Sequence, residues 1–178
     1  TPPPVDYSTV NPWAFAPAIA PHLAALEAGA VLNVASVTQA LSDTLTSTPR
    51  DLTLIEGAGG WRVPLNEAED FSDLPRALGL PVILVVGLKL GCLNHARLTA
   101  EAIAADGLTL AGWVGSVVDS AFADDSPRFA ANVALLKRAL PAPCLGIIPH
   151  LATADAPTAQ YYLSLDALLP LATQEATP

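Results

Sequence analysis

Apolar runs that do not alternate recur along this chain, and each is followed by a stretch with helical spacing. They are "LTLIE" at 52–56, "PVILVVGL" at 81–88, "LAGWVGSVV" at 110–118 and "CLGIIPHL" at 144–151. A strand covered on both faces has no polar side to show, so it loses the period-2 pattern of a half-exposed strand. Four parallel strands are therefore predicted, with "PVILVVGL" the clearest because most of its six apolar residues are β-branched. Helices are predicted over "APHLAALEAGA", ending near Gly29, and over "VASVTQALSDTL", capped by Asn33 and broken at Pro49–Asp51. Others are predicted at the end of "LNEAEDFSDLPRALGL", over "CLNHARLTAEAIAADG" closed by Gly107, over "SPRFAANVALLKRAL", and over 158–172. Residues 1–16 read as an extended lead with an Asn-Pro turn, and the start of "LNEAEDF" reads as acidic surface. Strand and helix alternate without repeat or linker, which is the pattern of a parallel sheet covered by helices. In such folds ligands sit beyond the carboxyl ends of the strands, where Glu56, Lys89, Ser116 and Pro149 fall.

Composition narrows the function classes. The chain has 178 residues, which suits one α/β domain. It is 52% hydrophobic and 14% charged, enough for a sizeable core. A net charge of −9 with eight Lys plus Arg excludes a nucleic-acid footprint, which needs a basic face. Local phosphate binding by backbone amides stays open. The apolar runs are interrupted before they reach membrane-spanning length, so no membrane contact is expected. Cys92 and Cys144 fit no metal or redox spacing, which agrees with reduced thiols in a cytoplasmic protein. The chain contains no Met and opens "TPPPV", the expectation being the later part of a longer domain.

Three stretches carry candidate chemistry. In "LTLIEGAGGWRVPL" a buried strand would end on Glu56 and then turn through Gly57, Ala58, Gly59 and Gly60. Glu56 is either a solvated strand end or cap, or a Mg²⁺ ligand beside a nucleotide, with glycines that let the backbone approach phosphates. The usual phosphate loop, G-x-x-x-x-G-K-[ST], is not in the sequence, whose lysines are Lys89 and Lys137. In "KLGCLNHA" the amides near Cys92, Leu93 and Asn94 would open a helix and face an anion, unless Asn94 is simply its cap. "GWVGSVVD" and "IIPHL" are strand ends that either turn unremarkably or present backbone to a ligand.

Taken together, "VDYSTVNPWAFAPAIAPHLAALEAG", "LIEGAGGWRVPL", "LPVILVVGLKLGCLNHARLTAEAI", "GLTLAGWV" and "PAPCLGIIPHL" resemble the dethiobiotin synthetase family in order and spacing. The resemblance covers almost the whole chain, and "EGAGGW" and "VGLKLGCLNHA" carry most of its specificity. It implies a P-loop NTPase-like fold, a homodimer, and ring closure of diaminopelargonic acid with CO₂ and ATP, with Mg²⁺ as the metal. By the resemblance, Glu56 is the Mg²⁺-binding acid, and Gly57, Ala58 and Gly59 line the ATP and substrate side. Pro149, His150 and Leu151 run along the adenine. Gly91, Cys92, Leu93 and Asn94 take the substrate carboxylate from the other subunit. Three departures stand out. The family's first strand, P-loop and catalytic lysine have no counterpart here, so no catalytic residue is assigned. Ser116 stands where the family has an adenine-binding Asn, and a hydroxyl lacks the paired donor and acceptor of an amide. Asn132 stands where the family has a substrate tyrosine. Two other readings accompany this one: a non-catalytic homologue that keeps the dimer surface, and another P-loop amide-forming ligase.

Overall fold

The computed structural model describes residues 5–153 and 155–168. They fall into two compact units, one running to Gly79 and the other beginning at Leu80.

The first unit is built from short helices and loops. Helices α1 (Tyr7–Val10), α2 (Pro21–Glu27), α3 (Val34–Ser47) and α4 (Asp73–Leu78) follow in order. The lead expected to be extended thus contains one helical turn, α1, held by the Asn11 amide donating to the Tyr7 carbonyl at 2.8 Å. Pro21 opens α2, where a missing N–H costs nothing, and Gly29 (φ +63°) ends it. Asn33 caps α3 as expected, its side chain accepting from the Ser36 amide at 2.8 Å. Ala25, Leu32 and Leu65 are buried together, with Trp13, Phe15, Val34, Val37 and Phe71 packed around them.

Residues 63–71 form a small hairpin, which the sequence reading did not foresee, with Glu67 of the expected acidic surface exposed near its tip. Pro64 and Asp70 are bridged antiparallel, and the Phe71 amide donates to the Val63 carbonyl at 2.8 Å. Asn66 Oδ1 accepts from the amides of Ala68 and Glu69 and so makes its turn. The Glu69 carboxylate accepts from the Asn66 side chain at 2.7 Å and from the Val34 amide at 3.1 Å. An acid at the start of α3 is where the helix dipole favours one.

The second unit is a parallel sheet with helices. Strands β1 (Val82–Leu88), β2 (Leu110–Val117) and β3 (Cys144–Ile148) lie in that order, with β2 in the middle. The connections carry α5 (Cys92–Ala105) and then α6 (Ser120–Asp124) with α7 (Ser126–Ala139). Val86, Leu88, Trp113 and Val117 on the sheet meet Cys92, Ala96 and Ala100 of α5, and Leu136 and Leu140 close the cluster. Cys92, Ala96 and Ala100 recur every fourth residue, so one small-residue stripe of α5 faces the strands. Gly107 (φ +76°) ends α5 in the left-handed conformation, as expected. Gly112 and Gly115 of β2 are sockets. A methyl at Gly112 would lie 2.7 Å from Leu145, and one at Gly115 would lie 2.6 Å from Ile147 and 2.9 Å from Leu88.

Two further expectations differ. "LTLIE" is not a strand: residues 52–56 pair with no neighbour, and Leu54 is 74% exposed. An extended apolar run becomes a strand only when another backbone takes up its N–H and C=O groups, and among the described residues none does. The closing helix expected over 158–172 is also replaced. Helix α8 (Ala156–Ala159) gives way to a 3₁₀ turn at Gln160–Tyr162. Leu163 then bridges Gly146 antiparallel, and the Ser164 amide donates to the Leu145 carbonyl at 2.8 Å. Pairing with β3 takes the backbone that the helix would have used. Residues 169–172 of that expected helix lie outside the described ones.

Candidate active site

In the first unit, Glu56 stands exposed at the head of a glycine turn. Among the described residues its carboxylate has no hydrogen-bond or ion-pair partner, so its place is set by the backbone on either side. Gly59 (φ +93°) and Gly60 (φ +98°) occupy backbone space closed to most other residues. Gly57 has another reason to be glycine. A methyl there would lie 2.1 Å from Cε2 of Phe71, and one at Gly59 would lie 2.7 Å from Val63. The turn therefore rests on the two facing residues of the 63–71 hairpin. Sequence reasoning missed Val63 and Phe71, along with Asn66 and Glu69 behind them. The "PLNEAEDF" pattern, an Asx-turn residue between two apolar ends, is the signal that could have found the hairpin.

Mg²⁺ asks for one or two carboxylates and takes its remaining oxygens from phosphates and water. A single unpartnered Glu56 suits that demand. No cluster of three His, Cys, Asp or Glu able to cage a metal occurs among the described residues. The donor set thus fits Mg²⁺ held jointly with a nucleotide, and does not fit a metal held by protein alone.

In the second unit, the carboxyl ends of the three strands are in register. Gly87 pairs with Ser116, and Ser116 pairs with Ile148. Ser116 on β2 and the Pro149–Leu151 segment after β3 consequently share one edge of the sheet. The turn after β1 leaves at the same edge and leads into α5. Gly91 (φ +91°) precedes that helix, and no side chain caps it. Asn94 is therefore not the cap: it is exposed at the third helical position. The Cys92 amide donates to the Lys89 carbonyl at 3.0 Å, which removes it from the anion-facing set. The amides of Leu93 and Asn94 sit in the first turn, where the helix offers them no acceptor. Cys92 itself is buried against the sheet, so its thiol is a core group. Asn132 lies on α7, its side chain donating to the Arg128 carbonyl at 2.8 Å.

A parallel α/β sheet with its loops gathered at the carboxyl edge is an architecture in which ligands, nucleotides among them, bind beyond the strand ends. The family model described as "AAA domain" matches residues 3–158, which agrees with a P-loop NTPase-like fold. The ATP-dependent dethiobiotin synthetase BioD of Chromohalobacter salexigens is 56% identical over 172 residues, covering 94% of this chain and 70% of that protein. The protein of the same name from Pseudomonas aeruginosa strain UCBPP-PA14 is 56% identical over 159 residues, covering 89% and 68%. That from Xanthomonas euvesicatoria is 44% identical over 160 residues, covering 90% and 69%. This chain belongs to the dethiobiotin synthetase family of ligases. No helix among the described residues is long and apolar enough to cross a membrane.

Proposed function

We propose that this protein closes the ureido ring of dethiobiotin from 7,8-diaminopelargonic acid, CO₂ and ATP in the cytoplasm, as a homodimer. One amine of the substrate adds to CO₂ and loses a proton to give a carbamate. The γ-phosphoryl group passes to a carbamate oxygen, leaving ADP and a carbamic–phosphoric anhydride. The second amine then attacks the carbonyl carbon, the C–O bond to phosphate breaks, and the ring closes with loss of a proton. Such chemistry asks for positioning and charge neutralisation more than for covalent help from side chains. Mg²⁺ would supply the charge that offsets the phosphate oxygens. Glu56 is the residue that would hold it, with the backbone of Gly57–Gly59 beside the nucleotide phosphates. Pro149, His150 and Leu151 would run along the adenine, with Ser116 at the neighbouring strand end. Gly91–Asn94 would receive the substrate carboxylate across the dimer interface, through the free amides of the first turn of α5.

The observation that carries this reading is the exposed carboxylate of Glu56, without a partner among the described residues, at the head of a two-glycine left-handed turn. Its test is Glu56→Gln, which keeps the shape and removes the charge. Turnover should fall steeply at limiting Mg²⁺ and recover in part when Mg²⁺ is in excess. Unchanged turnover at limiting Mg²⁺ would return Glu56 to a solvated loop end.

A further inference from the structure

We infer that Phe71, together with Val63, is a positioning residue for the Glu56 carboxylate. This rests on the reading of Glu56 as the Mg²⁺ ligand. Glu56 has no side-chain partner among the described residues, so nothing but its own backbone locates the charge. That backbone continues into Gly57, whose α-carbon is so close to the Phe71 ring that a methyl would lie 2.1 Å from Cε2 and 2.3 Å from Cζ. Two residues on, Gly59 sits on Val63, where a methyl would lie 2.7 Å from the side chain. Phe71 and Val63 are not independent: the Phe71 amide donates to the Val63 carbonyl at 2.8 Å. The two halves of the turn thus rest on one cross-strand pair.

The seat is itself anchored. Phe71 packs on the cluster of Ala25, Leu32 and Leu65. Arg62 donates to the fully buried Ser72 hydroxyl at 2.8 Å, one residue after the ring. At the hairpin tip, Asn66 donates to the Leu32 carbonyl at 3.0 Å and Glu69 accepts from the Val34 amide. The hairpin is therefore tied to the start of α3, and the glycine turn lies on a rigid support. A glycine turn without that support would spread the carboxylate over many positions, and a metal held by one carboxylate is sensitive to that.

The test reads metal coupling apart from turnover. Affinity for a non-hydrolysable ATP analogue is titrated with Mg²⁺ and with EDTA, and the ratio is the gain due to the metal. Wild type, Glu56→Gln, Phe71→Leu and Val63→Ala are compared. Phe71→Leu should cut the gain by roughly fivefold or more, within the usual range of coupling between two ligands. Val63→Ala should cut it less, because Gly59 is farther from the acid. Affinity in EDTA should hold in both. A merely structural role would lower the melting temperature and leave the ratio alone. That result in both variants overturns the inference. If Phe71→Leu does not fold, Val63→Ala decides. If Glu56→Gln itself keeps the full gain, the metal reading fails. If Glu56→Gln loses the gain and both seat variants keep it, only the inference fails.

Discussion

Replacing Gly146 by alanine should unpin the end of the described chain from the sheet. The new methyl would stand 2.0 Å from the Tyr162 carbonyl oxygen and 3.0 Å from its carbon, and such contacts essentially never fall below 3.0 Å. The obstacle is backbone, so no rotamer change relieves it. The carbonyl would have to withdraw by an ångström or more. It cannot do so while Leu163 bridges Gly146 and the Ser164 amide donates to Leu145. Losing that hydrogen bond costs about 0.5–1.5 kcal/mol, and the overpacking about 1–3 kcal/mol. Together they reach about 1.5–4.5 kcal/mol of a typical total of about 5–15. For a chain of this size that corresponds to about 3–18 °C in Tm. The comparison is Gly107→Ala, where nothing lies within 4 Å and the cost is the left-handed torsion of about 1–2 kcal/mol. Melts followed by circular dichroism give the totals, and hydrogen exchange at the Ser164 amide gives the local effect. A Gly146→Ala protein that melts no lower than Gly107→Ala, with Ser164 still protected, would refute the reasoning.

Other outcomes follow from the packing and the site. Leu136→Ala removes a fully buried side chain from the main cluster and should cost about 2–5 kcal/mol, read from denaturant midpoints at constant slope. Asn33→Ala deletes the α3 cap and should cost about 1 kcal/mol, with Asn33→Ser restoring most of it. Asn94→Ala should raise the diaminopelargonate concentration for half-maximal rate and leave ATP binding nearly unchanged; equal effects on both would remove α5 from the substrate site. Mixing Asn94→Ala with Glu56→Gln subunits should restore about a quarter of wild-type activity at random exchange, because about half the dimers are mixed and each keeps one intact composite site. No recovery despite demonstrated exchange would mean that the site is not shared.

The three paired strands were legible because 82–88, 110–117 and 144–148 are apolar runs without period-2 alternation; the double-sided burial expected of them is not complete, since Val85 on β1 is 65% exposed. Residues 52–56 read the same way and pair with no neighbour among the described residues, since apolar spacing records what a segment could bury and not which backbone lies beside it. The segment after 158 failed for the reverse reason. Its composition suits a helix, but the bridge from Leu163 to Gly146 outweighs local preference. At the site, Glu56 and the glycines were conspicuous because an acid beside a left-handed turn is a chemical pattern. Phe71 was not, because its contact with Gly57 spans fourteen positions and one hydrogen-bonded hairpin. Asn94 looked like a cap from its residue type alone. With Gly91 at the cap position, α5 starts three residues earlier than that reading needs, which leaves Asn94 inside the first turn.

Antiparallel neighbours can inherit their alignment from a tight turn, whereas parallel strands are joined by long crossovers that leave it undetermined. Here the two glycines of β2 determine it. Leu145 has room beside Gly112, and Ile147 and Leu88 have room beside Gly115. Slide β3 by one residue and its side chains change faces. Slide it by two and Leu145 meets Leu110 or Val114, where a side chain already fills the space. Those alignments are disfavoured by volume alone. Gly112 and Gly115 thus act as index marks for assembly, and a side chain added at either would blur the one arrangement in which Ser116 and Pro149 end up side by side.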